Sequence, residues 1–422
     1  MIKNGLYATG IAMSALLANV ATAETTVVFQ GMGAEREAFN KEAIRLFEEQ
    51  NPDIKIDYSW VANEPYKTGI KVMLESNSPP DLYFVWAGSF ANDFVDSGVA
   101  ENILDSYERG DAWGEAPAGV VDQFRYKDGL YGAPGQLYTK YFWKNDAFFE
   151  ENNLTAPETI DELIGMCHQI REIDPLMTPV SFGASESWTI NHYLTILFQR
   201  HVDLETMQGD WHLTNDEENL WAHPGYLNAL KDFKRLETEG CFNDGINSVD
   251  PGVSRTMFAT ELAAMTFCGS WCPPIFNSEG FEGKYSAFPF PKVEGGAGDQ
   301  TGALVGVQGY QVSAATEERE ATLKFLSWLL SPEMHALQAR LAGQLSANAT
   351  ALKEGDLPKE SVDLLNRVAQ ANVSVPPLNT IVETSVSDVI LKSGQDLVAG
   401  TVTPEEFMER VRTQALEAKS RM

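Results

Sequence analysis

Three of the nine tryptophans in this 422-residue chain, Trp86, Trp188 and Trp271, sit just past short apolar runs that read as strands. An indole at a strand end offers a flat apolar face at the rim where loops meet. Such platforms suit a ligand with C–H faces, and Asp, Glu, Asn, Gln or Arg suit its hydroxyl edge. The most informative stretch is 256–271, T-M-F-A-T-E-L-A-A-M-T-F-C-G-S-W. Met257, Phe258, Leu262 and Ala263 have helical spacing, 264–267 is a strand-like apolar run, and Gly269 turns the chain under Trp271. Trp60, Trp113, Trp211, Trp221 and Trp328 read as packing residues. Three stacked rings at ~0.5–1.5 kcal/mol each and a few charge-assisted hydrogen bonds at ~1.5–3 kcal/mol suffice for binding near −8 kcal/mol, about micromolar.

Catalytic signatures are missing. The chain has no Gly-x-Ser-x-Gly elbow, Walker loop or His-Glu-x-x-His. A glycosidase needs two carboxylates across one bond, but among 60 acids a pair can be found anywhere. A secreted glycosidase or lyase is therefore only the enzyme-class alternative. No Cys-x-x-Cys pair occurs and the six histidines are dispersed, so neither a metal nor another cofactor is expected.

The elements that must carry these residues begin with a strand at 25–29, an amphipathic helix at 36–50 and a strand at 54–60. A second helix at 66–76 and a strand at 82–85 follow, with Asn51-Pro52-Asp53 and Pro79-Pro80-Asp81 as breaks. Strand–helix alternation implies a parallel sheet with helices on both faces. Ligands bind beyond the carboxyl ends of such strands, an edge that gathers Glu35, Trp86 and Ser89. Further on, Thr159 and Glu162 fit a capping box opening a helix, 180–184 reads as a strand, and 224–239 and 404–419 read as helices.

Hydrophobic content of 44 % and charged content of 22 % are ordinary for a globular protein. The net charge of −29 repels nucleic acid and anionic lipid. Residues 1–23 read as a cleaved export signal: Lys3, an apolar core, then Ala21-Thr22-Ala23 before Glu24. No cysteine follows that cleavage site, so a soluble periplasmic protein without a lipid anchor is expected. Cys167, Cys241, Cys268 and Cys272 allow three full pairings, which sequence does not choose between. Cys167 lies in a helical stretch and reads as a buried free thiol.

Several segments, in order, resemble the family 1 extracellular solute-binding proteins, the maltose-binding type that serves ABC importers. They are "F-E-E-Q-N-P-D-I-K-I", "S-P-P-D-L-Y-F" ending in Trp86, "F-V-D-S-G-V-A-E-N-I-L-D", "G-L-Y-G-A-P-G-Q-L-Y", "G-A-L-V-G-V-Q-G-Y-Q-V" and the "GSW" turn. The family's Tyr-Asn-Lys turn is replaced here by Trp143-Lys144-Asn145. The resemblance covers essentially the whole chain after residue 23. It implies an α/β, two-lobed periplasmic-binding-protein fold of type II. Each lobe would be a mostly parallel sheet flanked by helices, and three crossings would join them near 132–141, 285–296 and Pro332. The lobes would comprise 24–135 plus 289–332, and 136–288 plus 333–422.

On this resemblance Gln136 and Tyr138 line the cleft floor, Trp188 stacks on sugar, and Gly306, Gln308 and Gly309 bring bare backbone close to the ligand. Cys241, Cys268 and Cys272 fall close together, so one bridge there would stiffen the loop of Trp271. The implied function is capture of a mono- or oligosaccharide, polyol or glycoside by hinge closure, with delivery to a membrane permease driven by a separate ATPase. The binding protein itself would be a monomer. A polyamine, which would suit the net charge, or a glycerophosphate, for which basic residues are sparse in the expected cleft loops, would keep the fold and change the cargo.

Overall fold

A computed structural model describes residues 24–111, 116–348, 355, 357 and 359–422. The export-signal reading of 1–23 and the packing role of Trp113 fall outside the described residues. The N-terminal run alternates as its pattern predicts. β1 (Thr25–Met32), β2 (Ile54–Val61) and β3 (Leu82–Trp86) are parallel and lie in the order β2-β1-β3. Helix Glu37–Gln50 buries Phe39, Ala43 and Phe47, and helix Asn63–Leu74 buries Tyr66, Ile70 and Leu74. The fully buried ring of Phe29 meets Tyr310 and Phe325 edge-on, a burial that stabilises by ~1.5–3 kcal/mol.

The hairpin of β4 (Arg125–Tyr126) and β5 (Gly129–Leu130) leads into β6 (Ala133–Asn145). The later strands are β7 (Thr178–Ser181), β8 (Ala263–Gly269), β9 (Tyr285–Phe288), β10 (Ala303–Val312), β11 (Leu345–Ser346) and β12 (Ser374–Val375). β6 serves two neighbourhoods. Its residues 133–139 pair antiparallel with β10 and β11, and its residues 140–145 pair antiparallel with β8 and β9. Since β10 also pairs with β3, a single hydrogen-bonded path, β2-β1-β3-β10-β6-β8-β7, runs through the protein. The path is parallel at its two ends and antiparallel where β6 and β10 join them.

Helix Ile160–Ile173 opens with the expected capping box of Thr159 and Glu162. Helix Trp188–His201 has every residue buried; it packs against Pro224–Thr238 and Thr384–Val398. On the far side, Arg319–Leu329 and Pro332–Ala342 pack on Glu37–Gln50. There Trp328 Nε1 donates to the Ala43 carbonyl at 3.1 Å, a packing role as expected. Trp211 and Trp221 are likewise core residues.

The cysteines form two disulfides, Cys167–Cys241 and Cys268–Cys272. Cys167 is therefore not the free thiol that its helical setting suggested. Helix Ile160–Ile173 and the end of helix Pro224–Thr238 converge, bringing Cys167 and Cys241 together. The turn of Trp271 is bridged as expected, by its own two flanking cysteines. Among the described residues, no helix is long and apolar enough to cross a membrane.

Candidate functional site

A cavity of about 380 Å³ opens beyond the ends of β1, β2 and β3 and faces the helix starts that follow β7 and β8. Its volume falls in the range of small-molecule sites. Glu35, Trp86, Tyr138, Trp188, Trp271 and Gln308, six of the nine residues expected to bind ligand, line it.

One wall is built on β1 and its sheet neighbours. Arg36 follows β1 and is only 4 % exposed. Its Nη2 donates to Gln308 Oε1 at 2.7 Å, and Nη1 donates to the Met32 carbonyl at 3.3 Å and to the Glu35 carboxylate. The guanidinium also lies 4.9 Å from the Phe84 ring centroid. Glu35 is thus fixed by a buried partner and turned to the cavity. Trp86, the last residue of β3, is held edge-on by Tyr66, Phe84 and Phe90 at 4.9–6.0 Å. Lys67 Nζ lies 5.8 Å from its centroid and pairs with Glu64 at 2.8 Å.

The opposing wall is an aromatic corner. Trp271 meets Tyr138 at 5.9 Å and Trp188 at 6.1 Å, both near 60°, and Trp188 meets His192 at 5.1 Å. The glycine of the turn has a steric reason: a Cβ on Gly269 would overlap the Trp271 ring. Trp188 does not ride a loop as expected. It is the first residue of helix Trp188–His201, with Nε1 donating to the Glu186 carboxylate. Behind it, Lys140 Nζ lies 5.3 Å from its ring and 4.6 Å from Phe267.

Gln136, Ser89 and Gly306 are not on the cavity wall. Gln136 is buried behind Gln308, opposite it in the β6–β10 register, and accepts from Gln338 Nε2 at 3.2 Å. Ser89 lines a neighbouring crevice with Phe90 and Thr384. Gly306 lies under Tyr138, whose ring a Cβ there would overlap; it seats a wall residue and does not face the cavity.

The structure adds residues that sequence reasoning missed: Arg36, Trp60, Lys67, Glu186, His192, Asp250, Arg255 and Asn379 also line the cavity. Basic groups are therefore present where few were expected. Trp60 is the penultimate residue of β2, on the same edge as Trp86, so the strand-end argument would have found it. Arg255 had a fainter signal: Asp250 caps and Pro251 begins helix Pro251–Ala259, just before the stretch that carries Trp271.

Burial governs the titratable groups. It raises the Tyr138 hydroxyl and, with Lys140 and Lys67 nearby, holds the His192 imidazole well below its usual range. It also depresses Lys140, with Arg255 adding to the effect. At neutral pH His192 is uncharged and offers one donor and one acceptor. The wall thus combines flat rings with hydrogen-bonding groups of both senses.

Comparison with known proteins agrees with this architecture. The family model described as bacterial extracellular solute-binding protein matches residues 29–336. An uncharacterized ABC transporter extracellular-binding protein of Pyrococcus horikoshii is 28 % identical over 186 residues, 42 % of each chain; the match spans less than half that relative's length. A multiple sugar-binding protein of Streptococcus mutans is 24 % identical over 72 % of this chain and 71 % of its own. Among solved structures, a protein from work on xylan utilization by Caldanaerobius polysaccharolyticus superposes with a TM-score of 0.85 at 24 % identity. That match covers 92 % of this chain and 99 % of the other. A chitin oligosaccharide binding protein gives 0.82 at 20 % identity, covering 94 % and 100 %. These likenesses establish a shared fold.

Proposed function

The chain belongs to the bacterial extracellular solute-binding protein family, and from that premise we propose that it captures a carbohydrate for an ABC importer. The observation that carries this reading is the corner of Tyr138, Trp188 and Trp271 facing Glu35, Trp86 and Gln308 across one cavity. Rings supply faces for sugar C–H groups, and the fixed carboxylate and amide supply partners for hydroxyls. The sugar-binding relatives support the same cargo class. The ligand is a mono- or oligosaccharide, or a related polyol or glycoside.

In this reading residues 24–135 plus 289–332 form one lobe and residues 136–288 plus 333–422 the other. Ligand bridges Glu35 and Trp86 to Trp188 and Trp271 and draws the lobes together. The closed form docks on a permease powered by a separate ATPase. The protein works as a monomer in the periplasm after removal of residues 1–23, without a lipid anchor, and performs no chemistry on its cargo.

Thermal unfolding against a panel of sugars, polyols and polyamines tests the proposal. A ligand at about 100 times its dissociation constant adds ~2.7 kcal/mol, a shift of several degrees. The expected result is a shift with one sugar series that disappears in Trp271→Ala. A shift with polyamines alone would overturn the carbohydrate assignment.

A further inference from the structure

Most charged side chains in the cavity wall already have a partner. Glu35 takes Arg36, Lys67 takes Glu64, Glu186 accepts the Trp188 indole, and Asp250 accepts the Gly252 amide at 2.7 Å. Arg255 is the exception. It is partly buried in the wall, yet it makes no hydrogen bond or ion pair with any described residue. Glu35, Glu186 and Asp250 face it without reaching it and favour its charge, while burial disfavours that charge more strongly. A guanidinium carries five N–H donors in a rigid fork. None of the Arg255 side-chain nitrogens is fully buried, so in the ligand-free protein these donors face the cavity solvent and are open to a ligand.

A second, independent observation points to a ligand. His192 lines the same cavity at 5 % exposure, and its Nδ1 has no partner among the described residues. Asn63 Oδ1, also in the wall, is likewise buried and unpartnered. The cavity therefore has unmet donors and unmet acceptors together. A polyhydroxy solute satisfies both, since each hydroxyl donates and accepts.

We propose that Arg255 is a specificity-determining residue that donates to a neutral acceptor oxygen of the bound sugar, and that the carboxylates facing it exclude acidic sugars. This rests on the carbohydrate reading above. A uronate would gain one contact with Arg255 and lie among Glu35, Glu186 and Asp250, where like charges oppose it.

The test titrates the wild type and Arg255→Met with matched probes: glucose and glucuronate, galactose and galacturonate, xylose, N-acetylglucosamine, short β-1,4- and α-1,4-linked oligomers of the neutral sugars, and glycerol 3-phosphate. Ligand-free melting of both proteins is recorded alongside. The wild type is expected to bind a neutral probe at least about tenfold more tightly than its acidic counterpart, and Arg255→Met to lose about tenfold or more for that neutral probe (about 1.4 kcal/mol). The ligand-free variant should melt no lower than wild type, because Arg255 makes no hydrogen bond or ion pair with a described residue that the substitution would break. Unchanged affinity in the variant, or a lower ligand-free melting point, overturns the role of Arg255 alone. Tighter binding of an acidic probe by the wild type overturns the exclusion. No response of the wild type to any probe overturns the carbohydrate reading, and this inference falls with it.

Discussion

The Trp271 ring keeps its place because small and aromatic neighbours leave it no other. Gly269 clears the space beneath it, and Tyr138 and Trp188 meet it edge-on. A different residue, outside the cavity wall, reports on the fold itself. His335 on helix Pro332–Ala342 is 2 % exposed, its Nδ1 is unpartnered, and burial brings its pKa from 6.5 down to about 4. As pH falls below 6.5, the unfolded chain takes up this proton while the folded protein refuses it until about pH 4. Stability is therefore full above that window and declines through it, by up to ~1.4 kcal/mol per pH unit. Between about pH 7 and about pH 5 the unfolding free energy from urea titration should fall for the wild type by up to about 2 kcal/mol more than for His335→Gln. Equal declines would mean that His335 titrates normally. The comparison subtracts the other histidines and carboxylates, which both proteins share.

Helices and strands differ in how plainly their sequences announce them. Helix Pro404–Lys419 and the capping box at Thr159 are legible because caps are local. Helix Trp188–His201 is not, because all of its faces are buried and no polar stripe sets a 3.6-residue period. For that reason Trp188 looked like a loop residue. Disulfide pairing was hidden for another reason: it depends on which elements converge, not on spacing alone. The two bridges should have separable effects. In the chain-entropy picture the loop closed by Cys167–Cys241, with a sequence separation of 74, is worth roughly 4.5 kcal/mol, and the short Cys268–Cys272 loop roughly 2 kcal/mol. The double serine variant of the first pair should lose more stability in urea and keep its affinity for the ligand. The variant of the second pair should lose less stability and more affinity, since its bridge closes the turn under Trp271. If both variants bound ligand equally well, the turn would not depend on its disulfide.

At the scale of the molecule, the strand–helix alternation of residues 25–86 made the parallel β2-β1-β3 unit legible. The resemblance implied a crossing near 132–141, within β6, but the pairing of β6 with β10 that ties both ends into one path spans 160 or more residues and leaves no local trace. That join bears on motion. β6 runs unbroken from the neighbours of β10 to those of β8, so relative movement of the two ends must bend or twist β6 rather than slide freely. On the other flank helix Leu378–Ile381 packs on helix Ser89–Asp96, and Thr384 Oγ1 donates to the Asp93 carboxylate at 3.1 Å. A hinge at β6 with a releasable contact at Asp93 can open by rotation. If ligand binding closes the cleft, small-angle X-ray scattering should show a smaller radius of gyration for the wild type with its sugar than without it. Trp271→Ala should show no change at the same sugar concentration. Asp93→Asn, which weakens the contact without touching the cavity wall, should enlarge the ligand-free radius and leave the ligand-bound radius unchanged. Saturating sugar with no change in radius would instead describe a preformed pocket, and the proposed closure would have to be abandoned while the binding site stood.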